Sequence, residues 1–199
     1  MDLSEQVLRF WFGDSLESPE AVQKRAKLWF APDLDFDRQI ERAFASLPGR
    51  AREGALDAWE GEPRSALALV LVLDQFPRNL FRGSAAAFEF DAQALDVALR
   101  AVERGLDEAL HPLEATFLYL PFEHAEDEAL QDRCVALFRN LLERAPAPLN
   151  AQFVQFLAYA ERHQAVIARF GRFPHRNAVL GRPSSAEEKA YLKEGGESF

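Results

Sequence analysis

Large apolar side chains recur in this chain at spacings of three and four, a pattern that only helices packed against one another can bury. The repeat runs through Leu3, Val7, Phe10 and Trp11, through Val22, Ala26, Trp29 and Phe30, and through Phe36, Ile40 and Phe44. No segment alternates apolar and polar residues as a half-buried strand does. The continuous apolar run from Ala66 to Leu73 has no partner strand elsewhere and is therefore read as a central buried helix. Seventeen phenylalanines in 199 residues supply the ring area for a substantial core, which a disordered chain lacks.

Stop and start signals divide this pattern. Ser18-Pro19 offers an N-cap with proline at N1, Leu47-Pro48-Gly49 is expected to stop the third helix, and Pro63 opens another. Further helices are expected at 91–104 before Gly105, at 113–120 after Pro112, at 127–144, and from the cap Asn150 to Phe170, where Gly171 and Pro174 end it. Ser184 with Glu187, or Ser185 with Glu188, has the spacing of a capping box for a last short helix. The whole chain, 1–199, reads as one all-α domain of about nine or ten helices in antiparallel hairpins, with a loose tail from about 194. A repeat of about 34 residues is not found.

Charge narrows the function classes. A formal net charge of -9 and an isoelectric point near 5.0 argue against general nucleic-acid binding, which needs a basic face. The apolar runs fall short of the roughly 20 residues that a spanning helix needs, and no signal-peptide pattern opens the chain, so a cytoplasmic protein off the membrane is expected. Cys134 lies on an apolar stripe and reads as a core residue.

Against this acidic background, residues 162–186 hold Arg162, Arg169, Arg172, Arg176 and Arg182 with two histidines and no carboxylate. Within them Phe173-Pro174-His175-Arg176-Asn177 echoes Phe76-Pro77-Arg78-Asn79. Pro77 biases Phe76 away from helix, so Arg78, Asn79 and Arg82 are expected on a turn. Arginine forks and asparagine amides together can clamp an anion, which makes Asp74, Arg78, Asn79, Arg82, Arg172, Arg176, Asn177 and Arg182 the candidate ligand-binding set. The plainer reading pairs Arg78 with Asp74 and has Asn79 cap the next helix.

His175, His124 and Glu123 are the candidate proton-transfer groups. His175 is flanked by Arg172 and Arg176, whose charge opposes protonation, while Glu123 and His124 follow Pro121 with Glu126 and Asp127 behind them. His163 shares a face with Phe156, Ala160, Ile167 and Phe170 and reads first as a core histidine with a carbonyl or carboxylate partner. No metal or cofactor motif appears: H-E-x-x-H, C-x-x-C, the P-loop and the dinucleotide fingerprint are all missing. Two functions stay open, a polar pocket for a small anion with a capacity for catalysis, and a scaffold that docks an acidic protein segment.

The same residues carry a resemblance. Leu73-Asp74-Gln75-Phe76-Pro77-Arg78-Asn79-Leu80-Phe81-Arg82, Tyr119-Leu120-Pro121-Phe122-Glu123-His124, Arg169 to Asn177 with Leu180-Gly181-Arg182, and the opening Val7 to Gly13 resemble the bacterial family called domain of unknown function 924. That resemblance implies a tetratricopeptide-like superhelical array, and it brings no activity, catalytic residue or cofactor with it.

Overall fold

The computed structural model describes residues 2–199, and among them every regular element is helical. The α-helices are α1 (Leu3–Phe12), α2 (Pro19–Phe30), α3 (Leu34–Phe44), α4 (Leu47–Arg52), α5 (Pro63–Val70), α6 (Phe76–Leu80), α7 (Asp91–Glu103), α8 (Pro112–Glu123), α9 (Glu128–Arg144), α10 (Asn150–Phe170) and α11 (Ala186–Lys193). Among the described residues no helix is long and apolar enough to cross a membrane.

The expected punctuation is largely in place. Ser18 Oγ accepts the Ala21 N–H at 3.2 Å, Gly171 takes φ 68° to end α10, and Ser185 with Glu188 forms the capping box of α11. Three expectations are corrected. Leu47-Pro48-Gly49 begins α4 instead of ending α3, because proline fits the first turn of a helix. Asn150 is already inside α10, which starts after Leu149 with no side-chain cap. Pro77 does not release the chain from helix, since α5 runs into a π-helical stretch, Leu71–Gln75, and then into α6. In that wider register Phe76 N–H closes on Leu71 C=O, and Pro77, which has no N–H to offer, falls in the first turn of the next segment.

The core is aromatic. Phe117 of α8 meets Trp11 at 5.6 Å, Phe12 at 5.4 Å, Trp29 at 4.8 Å and Phe30 at 6.1 Å, ring centre to ring centre. The run Ala66–Leu73 is buried throughout, and α8 is buried on every side. A helix apolar all round has to sit at the centre, with α5, α7, α9 and α10 packed about it. Short connections make α8, α9 and α10 successive antiparallel neighbours. Cys134 is fully buried among them, as its stripe predicts.

Because Phe117 holds α1, α2 and α8 together, Phe117→Ala is expected to cost about 3–5 kcal/mol in urea unfolding. Phe30→Ala, at a ring 54% exposed, should cost a small fraction of that.

Candidate functional site

The π-helical stretch puts Asp74 where no water reaches it. Its carboxylate accepts from Gln75 Nε2 at 2.6 Å, lies 2.7 Å from His124 Nδ1 and 3.3 Å from Arg78 Nη1, which also donates to the Asp74 carbonyl at 2.8 Å. Burial pushes this carboxyl upward, but Arg78 and then His124 outweigh it and hold it well below the usual carboxylate range. His124 is lowered, chiefly by burial and then by Arg78, so its ring stays neutral. A carboxylate can only accept, and the His124 proton therefore sits on Nδ1 and leaves Nε2 as a free acceptor.

Asp91, in the first turn of α7, joins the two Phe-Pro segments. It takes both Arg78 terminal nitrogens, at 2.8 and 3.0 Å, and lies 3.8 Å from Arg176 Nη1. Both guanidiniums also lie over the Phe88 ring, Arg78 at 5.6 Å and Arg176 at 4.8 Å. Arg176 differs from the other arginines of its stretch. Arg162 lies 3.2 Å from Glu197, Arg169 3.0 Å from Glu187, Arg172 2.6 Å from Glu188 and Arg182 2.5 Å from Glu126. The Arg176 side chain is only 7% exposed, yet the one hydrogen bond of its guanidinium among the described residues runs from Nη1 to the His124 carbonyl at 3.0 Å. Its Nε is buried without a partner. Burial first and Arg78 second lower it to about 10, so it still carries its charge at neutral pH.

The remaining arginine and asparagine candidates divide. Asn79 donates to Asp37 at 2.7 Å instead of capping a helix, and Arg82 pairs with the same carboxylate at 3.0 Å. Arg172, Asn177 and Arg182 lie outside the cavity wall: Asn177 donates to Ser184 at 3.1 Å, and Arg182 binds Asn177, Glu126 and the Phe173 carbonyl. Glu126 also accepts the Phe173 N–H at 2.8 Å, which pins the second Phe-Pro segment to the start of α9. Asp37, Asp91 and Phe88 escape sequence reasoning, since a first-turn acid or a lone ring announces no partner.

These elements surround a cavity of about 720 Å³. Arg78, Asn79, Arg82, Glu123, His124, His163, His175 and Arg176 form its polar wall, and Trp29, Phe30, Leu120, Phe138, Phe156 and Tyr159 face them. Glu123 is raised to about 8, by burial and then by the Asp74 charge, so it is an uncharged acid at pH 7. Its Oε1 lies 3.5 Å from His163 Nδ1, which donates to the Tyr159 carbonyl at 3.0 Å. His163 is thus a core histidine with a carbonyl partner that also faces the cavity, and burial pulls it down to about 2. His175 is lowered to about 4, by burial before Arg176, and its buried Nδ1 has no partner. Among the described residues no cluster of histidine, cysteine and carboxylate is arranged to hold a metal ion. A smaller hollow of about 340 Å³ beside Gly13, Arg25 and Phe36 contains no histidine.

Fold and site together define an all-helical protein built around a cavity with one cationic, imidazole-rich wall and one aromatic wall. Residues 7–196 match the family described as bacterial protein of unknown function, DUF924, and the chain belongs to that family. It is similar over 97% of its length, at 38% identity and a TM-score of 0.81, to the solved structure of ATU0120, a protein of unknown function from Agrobacterium tumefaciens, of which 98% is covered. No curated protein matches the chain.

The Glu123 proton has a measurable consequence. The folded chain keeps it up to about pH 8 whereas an unfolded glutamate loses it near 4.5, so folded molecules hold the extra proton between those values and stability falls as pH rises through them. Glu123→Gln removes that slope. The variant should gain on the wild type by on the order of 4 kcal/mol between pH 5 and pH 8.5 in urea unfolding. Identical slopes would mean that Glu123 is ionised in the fold.

Proposed function

We propose that the cavity binds a small anionic ligand and that Arg176 is its anchor. The observation that carries this reading is the buried Arg176 guanidinium, which has no carboxylate at hydrogen-bonding distance in a stretch whose other four arginines each lie within 3.2 Å of one. A desolvated cation with unspent donors gains most from an anion that enters beside it. Arg78 plays a different part: both its terminal nitrogens are spent on Asp91 and Asp74, so it positions that cluster and adds positive potential. Lys27 and Arg82 extend this potential along the cavity wall.

The arrangement also equips the site for proton transfer on the bound anion. Asp74 fixes the His124 tautomer so that Nε2 can accept a proton, and the uncharged Glu123 carboxyl can donate one. His175 is a weaker candidate base, because no carboxylate orients its ring. We read residues 1–199 as one helical domain, and the succession α8, α9, α10 as a tetratricopeptide-like stacking of hairpins. Docking of an acidic protein segment finds less support, since Arg162, Arg169, Arg172 and Arg182 are already matched by glutamates of this chain.

Calorimetric titration with benzoate tests the reading. Arg176→Gln should weaken binding about tenfold or more, the effect of losing charge-assisted hydrogen bonds. Affinity in the wild type should fall as pH rises through about 8, where Glu123 ionises and repels the anion, and Glu123→Gln should abolish that fall. Equal affinity in wild type and Arg176→Gln would place the anion elsewhere.

A further inference from the structure

The last residues described, Glu197, Ser198 and Phe199, form part of the cavity wall. The chain reaches them through a turn that only glycine permits. Gly195 has φ 83°, and a Cβ on Gly196 would come within 2.5 Å of the Tyr191 ring. Tyr191 secures the turn by accepting Gly196 N–H on its carbonyl at 2.9 Å and Glu197 N–H on its hydroxyl at 2.8 Å. Phe199 then stacks on His163, with ring centres 3.4 Å apart and planes 21° from parallel. The edges of Phe173 and His175 close the slot at 5.9 Å and 6.0 Å.

Three observations mark this slot as a place for a ligand ring. Its walls at His163 and Phe173 are buried, whereas Phe199 itself is 36% exposed. His175 presents a buried Nδ1 without a partner, a polar group that a phenyl ring leaves unsatisfied and a substituted or heteroaromatic ring can meet. The Arg176 guanidinium lies 4.4 Å from the centre of the Phe173 ring, so slot and cation share one aromatic wall.

We propose that the slot between His163, Phe173 and His175 is the ring subsite for a planar aromatic anion, and that Phe199 fills it as the chain's own competitor. This inference rests on the reading of the cavity as an anion site. The ligand lies flat on His163 with its acidic group toward Arg176, and the Phe199 ring must leave the slot before it binds. Only the fraction of molecules with Phe199 withdrawn is then competent, which lowers the apparent affinity by that fraction.

Titration calorimetry at pH 7 with 1-naphthoate and with cyclohexanecarboxylate, on the full chain and on Phe199→Ala and Arg176→Gln, separates the outcomes. Phe199→Ala should bind 1-naphthoate about tenfold tighter than the wild type, as expected when a ring that closes about nine molecules in ten is removed. The planar anion should also bind more tightly than the cyclohexane one in both proteins. If 1-naphthoate binds through Arg176 but Phe199→Ala binds it equally or more weakly, Phe199 is a fixed wall and the competitor inference fails alone. If neither anion binds the wild type or Phe199→Ala, the anion site and the ring subsite fall together. Proton NMR provides a ligand-dependent check, because the Phe199 ring signals should move toward solvent values as naphthoate is added and stay put if the tail is structural.

Discussion

A carboxylate with no access to water must find its donors inside the protein, and the site follows from how Asp74 does so. Gln75 and Arg78 come from its own helical segment, brought round by the π-helical stretch, and His124 comes from the end of α8. The requirement bears on three things together: the orientation of the His124 ring, the position of Arg78 beside Asp91, and the proton affinity of Glu123, which burial raises first and the Asp74 charge raises further. Removing that carboxylate would leave Arg78 with Asp91 as its one carboxylate partner and free the His124 imidazole at once, so the cluster acts as a unit.

Charge accounting explains why one arginine in a run of five stands out. Along residues 162–186 the cations look interchangeable in sequence, but glutamates at positions 126, 187, 188 and 197 fold back onto four of them. Most of the basic stretch thereby becomes glue that fastens α10, α11 and the second Phe-Pro segment. Arg176 is left facing the cavity, stacked between Phe88 and Phe173, with donors unspent. The aromatic rings contribute twice, since they exclude water from the guanidinium and offer their faces to its charge.

Helices were legible in the sequence because each carries its own signal: apolar spacing, a capping residue, a glycine in the left-handed region. The echo of Phe76-Pro77-Arg78-Asn79 in Phe173 to Asn177 likewise pointed to two segments that do meet, through Asp91 and Phe88. Partner choice was not legible. Asn79 and Asn177 occupy equivalent places in the echo, yet one binds Asp37 on α3 and the other Ser184. Neither asparagine carries that difference in itself, because it depends on whether the packing delivers the Asp37 carboxylate from α3 or the Ser184 hydroxyl from a few residues on. Pro77 misled for a related reason: a residue that ends an ordinary helix is accommodated where a π-helical register precedes it.

The central claim is that Arg176 keeps its free donors for an anion and does not spend them within the protein. A crystal structure of the chain soaked with benzoate tests it most directly. The account predicts a carboxylate within hydrogen-bonding distance of Arg176, with Arg78 still clasping Asp91. Benzoate bound away from Arg176, or an Arg176 turned onto Asp91 with both terminal nitrogens engaged, would contradict it.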